Sequence, residues 1–381
     1  MTVAKRRSRQ PAPSVPASAS PAGGGKWRTP LLLTLTAGVL GLAAWLAFAP
    51  PAAPPTGLGN SASRPAGQTQ ADRVLATAAP LLAGRQYEPA RDLLAAYVRS
   101  DPADTRVRPV LAQALLAMKD AQAAERVVDD LLRLDAQSSA GLWLKGVLLR
   151  KRGADGAEKM FRHAAQSPQA TPDIHARYGL ELATSGDFNQ AERYYRKALA
   201  AQADLVPAQG GLSELLIRSG RFEEAAGLLE RAVASSPKDP DLWRMLADAR
   251  RNIGQLQPAH DAAAKALALT RDGPTLVLMG EIELLLAGQA GQADAPTIRQ
   301  SAAEAFAAAC DFAPVRADAA FKAARCYYFL ERYALAMKYI DLARETAPDR
   351  KDVQEWTTKI QDARFPRPAK PARTGSLLDV K

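Results

Sequence analysis

Small and apolar positions recur along the chain with a period of 34 residues. Gly186, Gly220 and Gly254 share one register, and Phe188, Phe222 and Leu256 share a second. Ala191, Ala225 and Ala259 share a third, and Ala198, Ala232 and Ala266 a fourth. Four registers with one period predict a stack of like units, each burying its apolar face against the next. Alanine is abundant and strand formers are sparse, so the units are expected to be helical. Ahead of them, residues 31–49 form an apolar run without a charge, bracketed by Pro30 and Pro50. At ~1.5 Å per residue a helix of this length spans a hydrocarbon core of ~30 Å.

The clearest copies carry more than the four registers. Residues 172–205 hold Gly179, Leu182, Gly186, Phe188, Ala191, Tyr195 and Ala198. Residues 206–239 hold Leu212, Leu216, Gly220, Phe222, Ala225, Leu229, Ala232 and Pro237. Residues 240–272 hold Pro240, Trp243, Leu246, Ala247, Gly254, Ala259 and Ala266. Residues 317–350 hold Ala324, Tyr327, Tyr333, Ala336, Ile340, Ala343 and Pro348. This pattern resembles that of the tetratricopeptide-repeat family: W-x2-L-G-x2-Y, then A-x3-F-x2-A, then P. The resemblance implies an all-α superhelical solenoid of helix-turn-helix repeats. Weaker copies fall at 71–104, 105–138 and 139–171, and a longer one at 273–316, where a polar loop around Ala287–Pro296 is expected to take up nine extra residues. That makes about eight repeats over 71–350. Residues 351–363 read as a capping helix with a polar outer face.

Charge refines this picture. The chain of 381 residues has a net charge of +10. Residues 1–29 carry six basic residues and no acid, and 364–381 carry five against one, so the span between them is balanced. A nucleic-acid-binding surface would place its basic excess on the folded part, so nucleic acid is not an expected partner. The basic leader, 1–29, lies only on the N-terminal side of the apolar run. The positive-inside rule then keeps the leader in the cytoplasm, makes 30–50 a single transmembrane signal-anchor helix and sends the repeats across the membrane. A cleaved signal peptide is the alternative, because Ala47-Phe48-Ala49 fits a small-x-small cleavage pattern, although Pro50 disfavours the cut. Residues 51–70 read as a Pro/Gly/Ser linker, and 364–381 as a basic, Pro-rich disordered tail. Arginine outnumbers lysine and alanine abounds, which suggests a GC-rich bacterial genome. The expected location is therefore the inner membrane, with the repeats on the periplasmic side.

Catalytic chemistry finds no support in the sequence. His163, His175 and His260 are scattered, and no phosphate-binding loop, nucleophile elbow or H-E-x-x-H is present, so neither enzyme activity, metal nor cofactor is expected. The family resemblance supplies the other candidates. In that family the first helices line a concave face, and the corresponding positions here are Trp143, Arg150, Lys151 and Arg177, then Glu214, Arg218, Arg244, Asp248, Arg251 and Asn252, then Phe321, Lys322, Arg325, Tyr328 and Phe329. Mixed Arg, Asp and Asn beside aromatics suit a peptide groove. The Lys and Asn set of chaperone-binding relatives is absent. On the family register Cys310 and Cys326 fall on neighbouring helices, and an extracytoplasmic location would permit a disulfide between them. Two buried free thiols are the alternative.

The expected function is that of a membrane-tethered scaffold or assembly factor binding a partner segment in its groove. Two other readings stay open: a cleaved, secreted protein of polysaccharide export or surface assembly, and a non-catalytic accessory subunit of an envelope enzyme system such as cytochrome c maturation.

Overall fold

The computed structural model describes residues 69–364. The leader, apolar run and linker up to residue 68, and the tail from residue 365, lie outside the described residues, and the expectations made for them are not addressed by the structure. The described part is all-helical, with seventeen α-helices and no strand. None of these helices is long and apolar enough to cross a membrane.

The helices alternate as first and second members of eight hairpins. The opening hairpins are α1 (Gln70–Ala83) with α2 (Tyr87–Ser100), α3 (Arg108–Ala117) with α4 (Ala121–Leu134), and α5 (Ser139–Lys151) with α6 (Ala157–Gln166). The middle ones are α7 (Pro172–Thr184) with α8 (Phe188–Ala201), α9 (Val206–Arg218) with α10 (Phe222–Ser235), and α11 (Pro240–Asn252) with α12 (Leu256–Leu269). The last two are α13 (Gly273–Gln289) with α14 (Ala295–Ala309) and α15 (Arg316–Phe329) with α16 (Tyr333–Thr346). Helix α17 (Lys351–Arg364) follows.

Each helix packs on the one before and the one after it. First helices of successive repeats also meet each other from α3 to α13, and again between α15 and α17. Second helices do not approach one another to that degree, so the stack curls with the first helices on its inner side.

The turn inside seven of the eight hairpins has one design. Its middle residue has positive φ at Arg85, Lys119, Gly153, Gly186, Gly220, Gly254 and Glu331. The next N–H then reaches back to a carbonyl five residues earlier, as in Gln86 to Leu81 at 2.8 Å, Asp187 to Leu182 at 2.9 Å and Arg332 to Tyr327 at 2.9 Å. This closes the helix and satisfies its terminal carbonyls. Glycine takes that conformation freely, whereas Arg85, Lys119 and Glu331 hold it against a steric cost.

Inside the hairpins, large and small residues complement each other across the crossing point. Tyr195 is fully buried, and a Cβ at Gly179 would sit 3.0 Å from its ring. A Cβ at Gly280 would stand 2.8 Å from the Phe306 ring. Where the second-helix residue shrinks to Leu229 or Ala263, the first-helix position grows to Ser213 or Ala247. Volume is thus conserved pairwise, as close packing requires.

The seventh repeat departs from this plan, and not as a simple loop. Helix α13 runs for 17 residues, against 13 in α11, and passes the usual turn position without a positive φ. The run Leu284-Leu285-Leu286-Ala287 favours continued helix, and Pro296 suits the first turn of α14. Only Ala290–Asp294 remains as connection, and a short 3-10 turn, Ala313–Val315, leads into α15. As a result α13 and α15 pack less closely than the successive first helices from α3 to α13.

Candidate functional site

The inner face is built from α5, α7, α9, α11, α13, α15 and α17. Three of the residues expected to line it turn into the core instead. Trp143 is buried, with its ring 4.5 Å from that of Phe161. Arg177 is buried and its Nε donates to Asp173 Oδ2 at 2.7 Å, one turn earlier on α7. Phe321 is buried beneath Trp356, edge to face at 6.4 Å. Each lies on a first helix, but a neighbouring ring covers Trp143 and Phe321, and the Asp173 carboxylate holds Arg177.

Most of the remaining charges are paired with one another. Arg150 makes two bonds to Glu181, at 3.0 and 2.6 Å, across α5 and α7. Lys151 is exposed at the end of α5. Arg218 lies over the Phe188 ring at 4.1 Å. Glu214 is drawn above the ordinary carboxylate range by burial, against the nearby Arg218 and Arg244. Arg244 pairs with Asp241 at 3.2 Å.

From α11 onward the pairs join into a row. Arg251 bonds Asp248 at 2.6 Å on its own helix and reaches Glu281 on α13. Asn252 donates to the Asp248 carbonyl at 2.7 Å. Glu281 accepts from Lys322 on α15 at 2.6 Å, and Lys322 also holds Asp318 at 2.6 Å. Arg350 lies 3.8 Å from Asp318 and 2.7 Å from Asp352 on α17. Burial opposes the Lys322 ammonium, but Glu281 and Asp318 outweigh it and hold it above the usual lysine range.

The row ends beside an aromatic cluster. Tyr328 meets Trp356 edge to face at 5.4 Å and Phe329 at 5.5 Å, and Phe329 meets Trp356 at 6.0 Å. Phe329 is 54% exposed. The Arg325 guanidinium lies 5.2 Å from the Trp356 ring centre, and Lys359 lies 4.3 Å from it. Arg325 has no acidic partner among the described residues, and its Nε is buried without a hydrogen bond. A cavity of about 290 Å³ opens here, lined by Leu284, Arg299, Lys322, Arg325, Cys326 and Phe329. Arg299 likewise makes no ion pair among the described residues. Trp356, Arg299, Glu281 and Arg350 were not singled out from sequence. Trp356 was legible as the one aromatic in an otherwise polar final helix, while the pairing of Glu281 and Arg350 depends on contacts between repeats.

The two cysteines are both buried and free, and the disulfide is not formed. Cys310 caps α14, with its Sγ 3.3 Å from the Phe306 carbonyl, whereas Cys326 lines the cavity beside Arg325. Burial pushes the Cys310 thiol up to about 11 and the Cys326 thiol up to about 12.

Among the described residues no group of three or more His, Cys, Asp and Glu converges as for a metal. His175 is buried, with Nδ1 2.9 Å from the Thr171 carbonyl, and burial lowers its pKa. His260 lies away from the inner face, 3.6 Å from Glu283.

Comparison with known proteins places these repeats. The family model of the tetratricopeptide repeat matches residues 182–249 and 216–278. Cellulose synthase operon protein C of Xanthomonas axonopodis pv. citri is 39% identical over 79 residues, which is 21% of this chain and 5% of that protein. The chain thus spans a small fraction of that relative. Among solved structures, the Cut9–Hcn1 hetero-tetramer of APC/C matches 76% of this chain and 56% of its own, at 15% identity and a TM-score of 0.52. PilF of Pseudomonas aeruginosa matches 59% of this chain and 98% of its own, at 18% identity and a TM-score of 0.47. At these identities the structural likeness speaks to the fold alone.

Proposed function

We propose that this chain, a tetratricopeptide-repeat protein by the repeats it carries, is a non-catalytic scaffold that holds a segment of a partner protein against the C-terminal end of its inner face. One observation carries the reading. On the inner face Arg244, Arg251 and Lys322 already have acidic partners, whereas Arg325, and Arg299 beside it on α14, have none among the described residues, and they flank a cavity beside Phe329, Tyr328 and Trp356. Unpaired guanidinium groups next to accessible aromatic surface suit a carboxylate with an apolar neighbour, such as an acidic stretch of a partner. The paired charges of Arg244 and Arg251 would shape the face rather than bind.

The location rests on residues outside the described part. The uncharged run 31–49 behind a basic leader supports a tethered protein with its repeats on the extracytoplasmic side. A tether of this kind raises the effective concentration toward partners in the same membrane. Protease added outside the cytoplasmic membrane should degrade the repeats, and protection from it would refute the placement. A cleaved, secreted form acting in polysaccharide export is the second reading, favoured by the 79-residue likeness to the cellulose synthase operon protein. The mass of the mature chain separates the two.

In-cell crosslinking and co-purification tests the binding site. Arg299→Glu with Arg325→Glu is expected to lose a specific partner that Arg244→Glu with Arg251→Glu retains. Identical partner lists for all variants would refute the assignment.

A further inference from the structure

The seventh repeat buries a carboxylate at a first-helix position where five of the other repeats have leucine. Five repeats have leucine at one register position of the first helix: Leu81, Leu115, Leu149, Leu182 and Leu216. The next repeat has Arg250, the last has Tyr327, and α13 has Glu283. Glu283 is only 6% exposed. Ser301 donates to its Oε1 at 2.6 Å, and His260 Nε2 stands 3.6 Å from the same oxygen. Oε2 is buried with no partner. No lysine or arginine pairs with Glu283 among the described residues. An incompletely partnered carboxylate is unfavourable in a protein interior, so its presence in place of leucine calls for a reason beyond packing.

The same residue lines an open cleft. The extra turn of α13 separates α12 from α14 and leaves a space of about 500 Å³, walled by Gln257, His260, Glu283, Leu286, Gln289, Ala290, Thr297, Ile298 and Ser301. That volume is within the range of small-ligand sites. The wall is mixed. Leu286 and Ile298 offer apolar contact, Gln257, Gln289 and Thr297 offer amide and hydroxyl groups, and Glu283 offers the negative charge. A divalent metal would need more acidic or imidazole ligands than converge here. A guanidinium is best met by a fork of acceptors, and Ser301 already occupies one Glu283 oxygen. Glu283 keeps one buried oxygen without a partner, and with the apolar walls it suits an ammonium on an alkyl stem, which would reach that oxygen by rotation of the Glu283 side chain toward the cleft.

We infer that the cleft between α12, α13 and α14 binds an alkylammonium group, namely a lysine side chain of a partner protein, through Glu283. The methylenes lie along Leu286 and Ile298, and the ammonium donates to Glu283. This site is separate from the Arg299 and Arg325 cavity, so either assignment can fail alone.

The chain has only three histidines, which makes the His260 ring a clean reporter. Imidazole proton–carbon spectra of the full chain, with the His260 signal assigned by His260→Gln, would follow titration with N-acetyl-lysine methylamide, n-butylammonium and tetramethylammonium. Saturable movement of the His260 signal is expected for the first two and not for tetramethylammonium, which has no N–H to donate. The His163 and His175 signals should stay put. Glu283→Gln, close in shape, should weaken binding by at least about tenfold. Glu283→Leu, which restores the residue of the other repeats, should abolish binding and raise the melting temperature. Equal, unsaturable shifts for all three cations would overturn the proposal, as would unchanged affinity in Glu283→Gln. A lower melting temperature in Glu283→Leu would make the carboxylate a structural support and overturn it as well. Saturation by n-butylammonium alone would overturn the assignment to a protein lysine.

Discussion

The fourth to sixth repeats and the seventh are built from the same kind of helix pair, yet they solve different problems. In α7 to α12 each first helix has 13 residues, each turn has a glycine with positive φ, and bulk on one helix is matched by smallness on the other. The seventh repeat lengthens its first helix, omits that turn and buries Glu283 in a leucine position. Regular repeats spend their residues on packing against neighbours. The irregular one gives up close contact between α13 and α15, and both cavities described above adjoin it. In a solenoid a break in the period marks where packing no longer sets every residue.

The comparison can be broken or sharpened by four measurements. The largest contrast should be a rate. Cys310 and Cys326 are buried, with thiols held above their ordinary range, so thiol-specific labelling of the native chain at neutral pH should be slower than in denaturant by orders of magnitude. Rapid native labelling of either cysteine would show that the seventh and eighth repeats are loosely packed. Next, Tyr195→Ala empties the densest crossing of the regular repeats. It should cost about 3–5 kcal/mol in denaturant unfolding, and a loss under 1 kcal/mol would mean that the crossing collapses to fill the gap. Glu281→Gln removes the carboxylate shared by Arg251 and Lys322. A loss of about 1–2 kcal/mol is expected, because two part-buried cations lose a partner, and it should shrink in high salt. The smallest effect is a gain. Glu331→Gly relieves a positive φ at the position where four repeats already use glycine, and should stabilise by about 0.5–1 kcal/mol. A loss there would show that the Glu331 side chain matters more than its backbone.

The fold was legible because its signal is redundant. Gly186, Gly220 and Gly254 mark turns, and Ala191, Ala225 and Ala259 mark close helix crossings, so a few exceptions do not hide the period. The face was legible only by helix. Trp143, Arg177 and Phe321 sit on the right helices, but whether such a side chain turns inward or outward depends on the neighbouring repeat, which periodicity along one chain does not weigh. The charges of α11 and α15 were visible, and their mutual pairing was not, since Arg251, Glu281 and Lys322 meet only after three repeats stack. The extra length of the seventh repeat was read as a polar loop, because AGQAGQADAP is rich in glycine and small residues. The leucines before it carry the helix on instead. Glu283 was readable in principle as a carboxylate standing in a register of leucines.

The row from Asp248 to Asp352 also bears on the kinetics of encounter. It sets four carboxylates against three cations, alternating within a few ångströms, so their fields nearly cancel at a distance. A partner approaching that stretch feels little long-range pull, and its arrival there should vary weakly with ionic strength, near the ~10⁵–10⁶ M⁻¹s⁻¹ of unsteered association. Arg299 and Arg325 are the local exception. The part of the salt dependence that arises at this end of the face should therefore fall when both are neutralised.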